Sequence, residues 1–156
     1  ENAGYGPASN CNFYIIHHVA IMKKSLELIP KILTGEKTIE SRWYRSKIAP
    51  WNKVALKDVI YFKNSGGLIE LKATVSEVLQ FEFKNISEIK NVIKKYGKDI
   101  CLIEPNPKKW GRVPRYGILI KLINPEKVSK PFKINKSGFG NRSAWIVVKD
   151  MKKIKI

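Results

Sequence analysis

Asn64-Ser65-Gly66-Gly67 is a turn of hairpin type, and the segment after it alternates strictly. Ile69, Leu71, Ala73 and Val75 fall on one face of an extended chain, and Glu70, Lys72 and Thr74 fall on the other. Residues 54–62, a strand interrupted at Lys57-Asp58, supply the other arm. Such a hairpin hides only one face and needs more strands and a covering layer, which commits the chain to a β-rich domain. Residues 13–16 with 19–22, 38–44, 116–123 and 143–148 supply those strands, and 151–156 alternate weakly, as an added edge strand would.

Two stretches have helical period instead. Leu26, Ile29 and Leu33, with Ile32 beside them, form an apolar stripe that Ser25 would cap and Gly35 would end, with Pro30 at the first regular position. Residues 87–96 form the second, with Ser87 as cap, Ile89, Val92, Ile93 and Tyr96 as the buried stripe, and Gly97 as terminator. Residues 105–114 form a proline-bearing loop and 125–137 a lysine-rich connector. Residues 1–12 are expected to be a flexible tail or expression remnant, and 13–156 one domain without repeats or linkers.

Between the first helix and the hairpin, residues 34–45 concentrate charge, small residues and aromatics. Period two places Thr38, Glu40, Arg42 and Tyr44 on one strand face, and Ile39, Ser41 and Trp43 on the other. A carboxylate and a guanidinium two residues apart can pair or converge on a third group in a cleft, with Lys37 entering from the turn at its rim. A solvated charged strand edge would show the same residues.

The spacing Gly35-x-Lys37-x-x-Glu40-x-Arg42 resembles the G-x-K-x-x-E-x-R motif of the ASCH domain, a β-barrel family related to the PUA fold. Four fixed types at about 6% usage each coincide by chance on the order of once in 10⁵ start positions. The resemblance extends over roughly residues 17–150, through His18–Met22, Asp58–Phe62, Gly138-Phe139-Gly140 and Ser143–Val148. It implies an α+β domain, a small, mostly antiparallel PUA-like barrel of about five to seven strands with two helices and a cleft beside the first helix lined by the motif. It also implies binding of RNA or other nucleic acid, while one branch hydrolyses acylated cytidines and ribonuclease activity has been proposed for others.

Charge points the same way independently. The 156 residues carry a formal net charge of +17, with 30 basic residues against 13 acidic ones. A surface this basic favours polyanions through phosphate contacts and counterion release. Apolar content of 44% excludes wholesale disorder. No apolar run approaches a membrane span, and the segment 12–22 lacks a basic leader and contains both histidines, so a cytoplasmic protein without membrane attachment is expected. Cys11 and Cys101 lie far apart without a CxxC partner, so free thiols are expected and no metal or other cofactor. His17 and His18 are adjacent, so one is expected to pack inward and one to face solvent.

Only five of the 30 basic residues are arginine, at 42, 45, 112, 115 and 142, and all but Arg115 lie within three positions of a tryptophan. A planar fork beside an aromatic suits anion or base recognition. A binding module for RNA or single-stranded nucleic acid would use Lys37, Arg42, Arg45, Arg112, Arg115 and Arg142 on phosphates or base edges. In it Glu40 would accept from a base amino group and Trp110 would stack, unless Trp110 plugs the barrel end. The alternative is an amidohydrolase acting on an N4-acylated cytidine, or a ribonuclease, with Lys37 as nucleophile or base and Glu40 as base for water. Here the chain departs from the hydrolase branch, which carries Thr where Glu40 stands, and a carboxylate beside Lys37 favours the ammonium over the nucleophilic amine.

Overall fold

The computed structural model describes residues 14–140 and 142–156; the expected tail over 1–12, Cys11 and Phe13 lie outside the described residues. In chain order the elements are β1 (His17–Met22), α1 (Leu28–Thr34), β2 (Ile39–Tyr44), β3 (Val59–Asn64), β4 (Ile69–Glu82), α2 (Ile86–Ile100), β5 (Tyr116–Phe132) and β6 (Trp145–Val148). The strands form one six-stranded sheet in the order β2-β5-β4-β3-β1-β6. Only β1 and β3 run parallel, and every other neighbouring pair is antiparallel. The expected α+β architecture, mostly antiparallel with two helices, is present as a sheet curled into a half-barrel.

The curl comes from β4 and β5, strands of 14 and 17 residues. Their pairing shifts register at three places, between Ile69 and Leu71, Lys72 and Thr74, and Val75 and Glu77. Each bulge bends the ribbon and increases its twist, so the long hairpin wraps instead of lying flat.

Period-two alternation distributes β5 between two cores. Ile118, Ile120 and Leu122 face the concave side, where they pack with Phe62, Leu71, Trp145 and the buried Ile29 and Ile32 of α1. Leu119 faces the convex side and packs with Ile39, Phe83 and the Ile89, Val92 and Ile93 stripe of α2. Covered on both faces, residues 116–120 are buried without interruption.

Several boundaries differ from the sequence expectation for identifiable reasons. The connector over 125–137 is largely strand, because β5 continues to Phe132. β2 pairs with β5 only as far as Lys121, so one side of β5 is an open edge beyond it, where Pro125 and Pro131 leave no ladder donor missing. Ser87 does not cap α2; the Asn85 side chain accepts from Glu88 N at 3.1 Å. Gly97 does not end it either, since Cys101 takes the left-handed position at φ 59° and the helix runs on to Ile100. α1 begins at Leu28 after Glu27 without a Ser25 cap, which puts Pro30 in its first turn, where no N–H is required of it. Residues 54–58 precede β3 as loop and turn, and 151–156 form a 3-10 turn at Met151–Lys153 with a single bridge from Ile134 to Lys155.

Candidate functional site

The open side of the half-barrel lies between β2 and the end of β1, and the Gly35–Arg42 segment lines it. Gly35 ends α1 at φ +82°, a conformation that L side chains rarely adopt. The reversal it permits is held by Lys37 N donating to Lys31 O at 2.9 Å and Thr38 N to Asp99 O at 3.0 Å. Lys37 is thereby turned inward and is 2% exposed, so it forms the floor of the cleft and not its rim. Its Nζ donates to Ile39 O and to Ile100 O, each at 2.7 Å. Ile100 is the last residue of α2, so the ammonium sits where the helix dipole favours a cation. With two of its three N–H bonds committed to carbonyls, Lys37 is placed as a clamp between strand and helix, which weakens its reading as a nucleophile.

Glu40 and Arg42 share the concave face of β2, as their spacing requires. Arg42 Nε donates to Glu40 Oε1 at 3.2 Å. Its Nη1 reaches Ala144 O at 3.3 Å and its Nη2 reaches Ile21 O at 3.4 Å, while the guanidinium carbon stands 5.2 Å from the Trp145 ring centroid. Arg42 therefore bridges the open side, from edge strand β2 to β1 and the chain entering β6. Glu40 is 4% exposed, and its Oε2 has no hydrogen-bond partner among the described residues. Lys37 Nζ stands 3.7 Å from it, an ion pair beyond hydrogen-bond length. Two cations and one carboxylate give the floor a net positive charge with one acceptor still open.

These three residues line a cleft of about 520 Å³ whose walls include Trp43, Tyr44, Trp110, Met22 and Leu102. Trp110 is half-buried, its ring 5.4 Å from that of Trp43, and its Nε1 donates to Glu104 O at 2.7 Å. Trp110 lines the cleft and also packs against the core beneath α2, so it combines a cleft-wall position with core packing. Trp43 in turn donates from Nε1 to Ser41 Oγ at 2.9 Å and stacks on Phe83 at 5.9 Å and 15°.

The remaining arginines are elsewhere. Arg45 and Arg115 line a second concavity of about 550 Å³, with Phe83 and Lys84. Arg112 and Arg142 are exposed and line neither cleft.

Beneath Arg42 lies a polar set that the sequence pattern did not single out. Trp145 Nε1 donates to His18 Nδ1 at 3.1 Å, and His18 Nε2 meets Asp58 Oδ2 at 2.8 Å. An indole only donates, so Nδ1 is the acceptor and Nε2 carries the proton given to Asp58. Asp58 also accepts from Ala55 N at 2.9 Å and Ile16 N at 3.2 Å. Burial lowers the pKa of His18 from its ordinary 6.5, against the raising effect of Asp58. His17, as its opposite facing suggests, is only half-buried and meets the Tyr61 ring edge-on. Among the described residues no three His, Cys, Asp or Glu side chains are grouped to hold a metal ion.

The sequence also failed to single out the walls Trp43 and Tyr44 as cleft residues, although both lie inside the motif segment. Lys84 carried no signal beyond being one of many lysines.

No protein-family model matches the sequence, and no curated protein matches it. Solved structures do resemble the fold. An ASCH protein from Zymomonas mobilis superposes with a TM-score of 0.55 at 18% identity, covering 74% of this chain and 71% of that one. A point mutant of the Zymomonas mobilis protein superposes with a TM-score of 0.63 at 14% identity, covering 88% of this chain and 93% of that one. A second mutant gives 0.56 at 17%, covering 75% and 73%. At these identities the likeness is one of fold, and the chain has the fold of ASCH proteins. No helix among the described residues is long and apolar enough to cross a membrane.

Proposed function

We propose that this protein binds single-stranded nucleic acid, RNA in the first instance, by taking one unstacked base into the cleft floored by Lys37, Glu40 and Arg42. The observation that carries the reading is Glu40 Oε2, a buried carboxylate oxygen at the floor of an aromatic-walled cleft, with no hydrogen-bond partner among the described residues. A buried acceptor without a partner costs about 1–3 kcal/mol, which a ligand N–H would recover. The amino group of cytosine or adenine supplies that donor, and the adjacent ring nitrogen is an acceptor for the cations beside it. Tyr44 and Trp110 offer aromatic surface to the base, with Trp43 packed between Phe83 and Trp110 beside them. The +17 charge supplies the sequence-independent attraction to the strand.

Binding of short homopolymeric RNA and DNA strands across a salt series tests this. Single strands of cytosine or adenine should bind more tightly than uracil strands, and Glu40→Gln should abolish the difference. Duplexes that bind as tightly as single strands would contradict base entry.

A further inference from the structure

The second concavity shares no lining residue with the base cleft, yet it adjoins that cleft where Tyr44 is followed by Arg45. We infer that Arg45, Lys84 and Arg115 form the subsite for the phosphodiester group next to the base held in the first cleft. The inference rests on the base-cleft reading and adds the path of the strand.

Three cations face this space of about 550 Å³ against the single carboxylate of Glu82. Two of the chain's five arginines stand here, in a protein that otherwise uses lysine. Arginine's planar fork pairs with two phosphate oxygens at once, where lysine offers a point charge. Arg45 is already oriented, because one Nη1 N–H bond is given to Val113 O at 2.7 Å. Arg115 is held by its backbone, N to Tyr44 O at 2.9 Å and O from Phe83 N at 2.7 Å, with its guanidinium 5.8 Å from the Tyr116 ring centroid.

The two spaces share one wall. Trp43 lines the base cleft, Phe83 lines the basic concavity, and the two rings stack 5.9 Å apart. Tyr44 and Arg45, consecutive on the same chain, line the first and the second respectively. A strand leaving the base cleft over this aromatic ridge meets the arginines directly. Contacts of this kind set register and orientation on the strand and carry no base information.

The test compares the parent with Arg45→Ala/Arg115→Ala and, as a change on an exposed side chain, Lys84→Ala. An adenine or cytosine octaribonucleotide is titrated at several salt concentrations, and the corresponding free nucleoside is titrated by quenching of tryptophan fluorescence. The double variant should lose about tenfold or more in octamer affinity, and its salt slope should become shallower by about 1.4, the value for two single-strand phosphates. Lys84→Ala should move both in the same direction by less. Nucleoside affinity should be unchanged in both, and added inorganic phosphate should not reproduce the gain of the octamer over the nucleoside. The control Lys94→Ala/Lys95→Ala removes equal charge from α2. If it weakens the octamer as much as the double variant does, the subsite is overturned and only diffuse charge remains. If Glu40→Gln loses base preference while Arg45, Arg115 and Lys84 prove silent, this inference fails and the base cleft stands. If the parent binds no strand, both fail together.

Discussion

The Arg42 guanidinium lies 5.2 Å from the Trp145 ring centroid, joining edge strand β2 to the strand at the opposite edge of the sheet. Among the described residues no backbone ladder connects those two edges, and the Arg42 side chain ties the half-barrel there. Arg42 is at once a wall of the base cleft and a tie, and its substitution has two consequences that can be separated.

Arg42→Ala takes the hydrogen-bonded partner from buried Glu40 and leaves it only the Lys37 ammonium at 3.7 Å, which is expected to cost about 1–3 kcal/mol, read as a lower denaturant midpoint with unchanged slope. Arg42→Lys keeps the charge but cannot reach Glu40, Ala144 and Ile21 together, so an intermediate loss is expected. A midpoint for Arg42→Ala equal to that of the parent would mean that the tie contributes nothing.

Stability should also fall in mild acid through His18. Its pKa is lowered in the folded protein, so below the ordinary 6.5 the unfolded chain binds a proton that the folded chain does not. The contribution is therefore complete above about 6.5 and is lost as pH falls from there towards the folded value. Protonation at Nδ1 would set a donor against the Trp145 indole N–H, and that indole belongs to the ring on which Arg42 rests. His18→Gln should flatten the dependence between pH 7 and 5, measured by urea unfolding at each pH.

Gly117 is where the aromatic ridge presses on β5. A Cβ there would sit 2.8 Å from Phe83 Cε2 and 3.2 Å from Trp43 Cζ3. Gly117→Ala should destabilise by about 1–3 kcal/mol and shift tryptophan emission, because both rings must move off the strand. An unchanged emission spectrum with unchanged stability would show that the ridge is loosely packed.

The sequence made one side of this site legible and hid the other. Glu40 and Arg42 share a face by period two, and Gly35 announces the turn that sends Lys37 inward. Their counterparts are Ile21, Ala144 and Ile100, which contribute backbone carbonyls that any residue would supply. Such partners leave no trace in residue type. Placing Lys37 at the rim failed for this reason, since lysines are ordinarily exposed and only the end of α2 explains a buried one. The length of β5 was hidden because prolines read as breakers unless the strand is known to be an edge. His18 and Asp58 are 40 positions apart, and no local pattern pairs them.

If Glu40 Oε2 accepts from a base amino group, strands that carry that group must be told from strands that lack it through this one oxygen. Parent and Glu40→Gln are each titrated with cytosine and uracil octaribonucleotides of equal charge at one salt concentration. The amide keeps the shape of the carboxylate but lacks its charge, and it can present N–H where an acceptor is needed. Parent protein should favour cytosine by about 1–3 kcal/mol, and Glu40→Gln should bind the two alike, with its folding verified by thermal unfolding. A parent that binds cytosine and uracil strands equally, or a Glu40→Gln protein that keeps the full cytosine preference, would mean that Glu40 does not read the base amino group.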